Sequence, residues 1–128
     1  MSKDTISVQY PAMENTQSVA KVKISKQTVT PANGILVQNA FKNKNNSLVI
    51  CIENTATVDS AVTFNAGGAY PNSELGNLKV PVLASSVNFF QVQDMSRFEA
   101  KDGSISIDFD STFTGNIYAV AKSTAINA

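Results

Sequence analysis

The feature that most constrains this chain is a period of two. Over residues 104–109, Ile105, Ile107 and Phe109 alternate with Ser104, Ser106 and Asp108. Successive side chains of a strand point to opposite faces, so this pattern specifies one apolar and one polar face. An amphipathic helix would need apolar residues three and four apart. The same alternation recurs at Val62 and Phe64, and at Ala20, Val22 and Ile24 opposite Lys21 and Lys23. Turn formers punctuate the segments at 31–34, 67–73, 84–86, 101–103 and 113–115. Short strands with a turn every few residues, and no long amphipathic helix, predict an all-β fold of seven to nine strands. The expected architecture is an antiparallel β-sandwich, jelly-roll-like or Ig-like.

Individual strands carry further information. Residues 47–54 form a nearly continuous apolar run rich in β-branched side chains, which predicts a central strand buried on both faces. Pro81 cannot donate to a ladder, so the strand holding Leu78, Val80 and Val82 belongs at an edge. Residues 87–92 and 116–122 are two further strands, and residues 96–99 read as a helical turn or a bent strand. The Asp102-Gly103 pair marks a hairpin with a positive φ at the glycine. The inward set is expected to be Ile50, Ile52, Phe64, Val80, Ile105, Ile107 and Phe109. Phe98 is expected to anchor its connection in the core, and Arg97 to pair with Glu99, Asp94 or Asp108.

At 128 residues the chain has the size of one domain. Residues 1–18 show little periodicity. They read as an N-terminal arm that orders against a neighbour, although residues 5–10 also alternate like a short strand before Pro11. Residues 19–128 read as the single sandwich domain.

Composition limits the chemistry. Ten basic and ten acidic residues cancel, so no global field draws nucleic acid or an anionic membrane. Lys21, Lys23 and Lys26, and Lys42 and Lys44, read as a solvated strand face and a solvated loop. There is no histidine, which removes the commonest general base and transition-metal ligand. The single cysteine, Cys51, lies in an apolar strand and reads as a small core residue, not a nucleophile. Asp108 and Asp110 share a strand face, a spacing that a carboxylate pair or, with Asp102, a calcium site would use. The structural reading, solvent-facing aspartates, is preferred. Residues 67–71 lack the lysine and helix of a phosphate loop. Tyr70 is an aromatic in a turn-rich loop and the one candidate for stacking on a sugar. No residue is assigned a catalytic, cofactor-binding or metal-binding role, and the chain is expected not to be an enzyme. The first residues carry no apolar signal region and no stretch approaches a membrane span, so synthesis in the cytosol is expected.

An ordered set of short motifs gives one further lead. Ile52-Glu53-Asn54-Thr55 ends a strand, and residues 61–68 run from a strand into an Ala-Gly turn. Leu75-Gly76-Asn77-Leu78 precedes a Val-rich strand. Ser96-Arg97-Phe98 leads to Asp102-Gly103, and Ile107-Asp108-Phe109 is followed by Thr114-Gly115. In this order, over residues 45–122, they resemble a family of small β-rich structural proteins of tailed bacteriophages. The resemblance implies a decoration or auxiliary protein on the outside of the virion head, partnered by the major capsid protein and made in the host cytoplasm. It supplies no catalytic residue. Alternatives are a head-fibre, head–tail joining or tail protein, or a carbohydrate-binding module. A homo-oligomer, with a trimer favoured, is expected from the advantage of binding several shell subunits at once.

Overall fold

Two sheets face each other across a core of Ile, Val and Phe. The computed structural model describes residues 3–10, 12–13, 20–38, 40, 48–68, 74–92 and 95–121. Eleven strands lie in these residues: β1 (Asp4–Ser7), β2 (Ala12–Met13), β3 (Ala20–Lys21), β4 (Gln27–Thr28), β5 (Ile35–Gln38), β6 (Val49–Asn54), β7 (Ser60–Phe64), β8 (Leu78–Val82), β9 (Ser86–Gln91), β10 (Ile105–Phe109) and β11 (Gly115–Val120). One helical turn, α1 (Met95–Phe98), stands between β9 and β10. The first sheet has the order β1-β5-β10-β7-β8, the second β4-β11-β6-β9, and β2 and β3 form a separate pair. The fold is thus an all-β sandwich.

Alternation sets the core as the sequence required. Ile50, Ile52, Ile105 and Ile107 are fully buried, Phe64 and Phe109 nearly so, and Val80 packs against the cluster while partly exposed. Val80 is less enclosed because β8 is an edge strand. The continuous run around β6 is central, flanked by β11 and β9. Its Cys51 is buried but lies outside the core cluster, on the outer face of its sheet beside Tyr118.

Three local expectations are refined. The N-terminal segment supplies β1, which pairs in parallel with β5 of its own domain, and β2 pairs with β3 across residue 18. Residues 4–10 are therefore built into the sandwich: Val8 is in the core, and Ile6 and Tyr10 pack on it. Residues 20–24 form only the two-residue β3. Gly103 has φ +82°, as the Asp-Gly pair demanded, but its turn joins α1 to β10 instead of two strands. Bonds from Ala100 N to the Ser104 carbonyl (2.9 Å) and from Gly103 N to the Ala100 carbonyl (2.9 Å) close it.

Candidate functional site

The two flanks of the sandwich differ, and the difference defines the site. On one flank the chain crosses from sheet to sheet. β1 lies along β5, then Gln9 N donates to the Ala119 carbonyl (2.9 Å) and the Gln9 carbonyl accepts from Ala121 N (3.0 Å). The Gln9 side chain is also held by the backbone of Ser25, donating to its carbonyl and accepting from its N–H, both at 2.9 Å. That flank is closed by main chain.

The opposite flank ends in β8 and β9. Asn54 fixes the corner between them. Its side chain is buried (1% exposed), and its amide donates to the carbonyls of Val58, Val82 and Leu83, each at 3.2 Å. Its oxygen accepts from Ala56 N at 3.1 Å. One amide thereby joins the β6–β7 and β8–β9 turns. The β8 edge is blunted: Pro81 has no N–H to offer, and Lys79 projects from the strand to pair with Asp110 (3.5 Å).

Among the described residues β9 has no such protection. It is six residues long, with neither a charge nor a proline. Val92 N donates to the Leu48 carbonyl, which sets the parity of the antiparallel β6·β9 ladder. Ser86, Asn88 and Phe90 turn their main-chain groups toward β6, and Val87, Phe89 and Gln91 turn theirs outward. The outward residues also carry the exposed side chains, with Val87 62% and Phe89 71% exposed. Among the described residues nothing pairs with the outward main-chain donors and acceptors of this edge, which lie beside an apolar strip.

Between the β8 and β9 edges opens an apolar cleft of about 250 Å³. Phe64, Phe90, Phe98, Val80 and Val92 line it, with Leu78, Gln91 and Arg97 completing its walls. The phenyl rings are mutually tilted, Phe64 lying 5.2 Å from Phe90 and 6.0 Å from Phe98 between centroids. Phe98 is buried as expected. Arg97 stacks on its ring at 5.2 Å and donates through Nε to the Gly76 carbonyl (3.0 Å). Further bonds run to the carbonyls of Leu75 and Asn77. Arg97 thus ties α1 to the start of β8. The 65–68 loop closes on the same turn: Gly67 N donates to the Arg97 carbonyl, and a Cβ at Gly67 would overlap the Glu99 carbonyl.

No family model, curated protein or solved structure matches this chain.

The other residues singled out in the sequence are dispersed. Asp108 pairs with Lys3 and accepts from Asn65 (2.9 Å), whereas Asp110 pairs with Lys79. Partial burial raises the Asp108 carboxyl, but the Lys3 and Asn65 bonds and the Lys3 charge outweigh it and hold it below its ordinary value. Asp102 accepts from the Ser104 hydroxyl (2.6 Å) and N–H (3.1 Å), which lower its pKa. Among the described residues no group of acidic and cysteine side chains is placed to hold a metal. Burial raises the Cys51 thiol, and Tyr118 is pushed up to about 12, chiefly by its hydrogen bond to Cys51. Lys26 pairs with Glu53 at 2.9 Å and lies over the Tyr118 ring. Tyr70, Lys42, Lys44 and Asp94 fall outside the described residues. Phe89 and Phe90 are adjacent on β9, and only one of them can face the core. Strict alternation separates them, and it was the available signal.

Proposed function

We propose that this protein is a non-enzymatic structural module that docks through its β8–β9 flank. In the setting implied by the sequence resemblance, it is an auxiliary protein on the outside of a tailed-phage head and the major capsid protein is its partner. The observation that carries the docking reading is β9 itself: an uncharged edge strand with Val87 and Phe89 exposed beside an apolar cleft. Strand edges of this kind invite pairing with another chain, and natural folds usually blunt them. The zero net charge fits association by shape and main-chain bonding, not by a long-range field. A trimer would present several such flanks to a shell and raise avidity by about 10²–10⁴.

The experiment is imaging of intact particles carrying a tagged copy of the chain. Label spread over the shell supports the proposal. Label confined to tails moves the protein to another virion part, and its absence from particles removes the virion setting.

A further inference from the structure

We propose that the β8–β9 flank takes up one extended segment of a partner chain as an added strand beside β9, with an apolar side chain seated in the cleft. The inference rests on the docking reading above and names the chemistry of what docks.

Three observations converge. First, Val87, Phe89 and Gln91 present their main-chain groups along a ladder that only an extended strand can satisfy. Second, side chains of an added strand alternate. Those next to Phe90 and Val92 must point inward, and the space they meet is the cleft of about 250 Å³ walled by Phe64, Phe98 and Val80. Main-chain bonds supply attachment and the cleft selects the side chain. Third, β9 carries no charge, and Arg97 in the cleft lining already donates to the carbonyls of Leu75, Gly76 and Asn77. The complementary segment is uncharged along β9 and apolar at its inward position.

A second copy of this chain fits less well. Two-fold pairing of β9 with itself, in the register that uses all three outward residues, is centred on Phe89. It would set the polar Asn88 and Ser86 of the second copy against Phe90 and Val92. Edge pairing alone would also cover a strip of about 20 by 10 Å, far below the roughly 800 Å² per partner of a stable interface. A single added strand covers the same strip and adds the burial of its inward side chain in the cleft.

The test uses the full chain and short capped peptides of alternating Thr and Val. One peptide has a central inward Leu; in the other, Asp replaces the Leu. Nuclear magnetic resonance titration should show saturable binding of the Leu peptide, with shifts at Val87, Phe89 and Gln91. The Asp peptide should bind at least about tenfold more weakly, since a carboxylate would be buried in an apolar cleft. Phe89→Pro removes an outward N–H while sparing the ladder to β6, and should abolish binding without moving the unfolding midpoint. If Phe89→Pro fails to fold, Leu78→Trp, which fills the cleft from an exposed edge position, serves instead. Binding lost in these variants supports the inference whatever the particle images show. Particles decorated equally by wild type and Phe89→Pro, with no peptide bound, overturn it and leave the docking reading standing. Self-association that Phe89→Pro abolishes also overturns it, because the second copy is then the occupant.

Discussion

The closed and open flanks of this sandwich are made from similar material and finished differently. Both are edges of sheets whose inner faces share one core. On the closed flank, residues 4–10 spend their main-chain groups on both sheets and bury Val8 beneath them. On the open flank, β8 is capped by proline and lysine, while among the described residues the outward groups of β9 meet no strand and Val87 and Phe89 are exposed. A sandwich gains stability where main chain bridges its sheets. It leaves an edge that a partner can use where the described main chain does not.

The largest expected effect comes from breaking the closed flank. Removing residues 1–10 strips β1 from β5 and uncovers the core beside Val8. Losing the burial of Ile6, Val8 and Tyr10 should cost about 3–6 kcal/mol, a large part of a typical domain's stability. Denaturant unfolding of the truncated chain reads this directly. A midpoint near that of the full chain would show that the segment is an accessory arm after all.

Ile107→Ala provides a reference common to both flanks. Ile107 is fully buried, opposite Ile35 toward the closed side and Phe64 toward the open side. Truncation should cost about 2–5 kcal/mol by transfer and cavity terms. Hydrogen exchange should accelerate on β5 and β7 alike. Acceleration confined to one side would mean that the flanks unfold as separate units.

Asn54→Ala acts on the open side alone. It removes the donor shared by the Val58, Val82 and Leu83 carbonyls and the acceptor for Ala56 N. The loss should be about 1–3 kcal/mol, the cost of leaving a buried polar group unpaired. Exchange should rise first at the β8–β9 corner. A stability unchanged from wild type would mean that water replaces the amide and the corner needs no clamp.

Asn54 also shows where the sequence stops being legible. The alternation at Ile105, Ile107 and Phe109 fixed the inward face because burial is a property of each strand taken alone. Asn54 read as a strand-ending polar residue, since its three carbonyl partners lie 4, 28 and 29 residues away. The choice for residues 5–10 between an arm and a short strand stayed open for the same reason. A four-residue strand has weak periodicity, and its parallel pairing with β5 is a long-range contact that no local pattern announces. Pro81 did mark an edge from the sequence. Nothing local marked β9 as the other edge on this flank, because Val87 and Phe89 look like any strand residues until the sheet order is known.

Acid should loosen the closed side first. Asp108 pairs with Lys3 just before β1, and Glu53 pairs with Lys26 just before β4. Both carboxyls are held below their ordinary values of 3.8 and 4.5; for Glu53 the Lys26 hydrogen bond is the main cause. Depressed carboxyls contribute stability that is present above the unfolded values and lost as pH falls through the folded ones. The unfolding midpoint should therefore hold from neutral pH down to the mid-fours and decline below. Exchange at β1 and β4 should respond before exchange at β9, which has no carboxylate. A uniform response would place the acid sensitivity elsewhere.

The smallest effect should be the most telling. Phe89 is 71% exposed and Val8 only 7%, so the same chemical change, replacement by Thr, samples the two flanks. Val8→Thr puts a hydroxyl among core side chains, where an unpaired polar group costs about 1–3 kcal/mol. Phe89→Thr removes an aromatic ring from solvent-facing β9 and installs a β-branched residue suited to a strand, so stability should stay within about 0.5 kcal/mol of wild type. Partner binding should reverse the ranking: Phe89→Thr weakens it and Val8→Thr leaves it intact wherever the fold survives. A large stability loss for Phe89→Thr would show the ring already packed against its own chain. The open flank would then be closed in solution, and the contrast between the two edges would disappear.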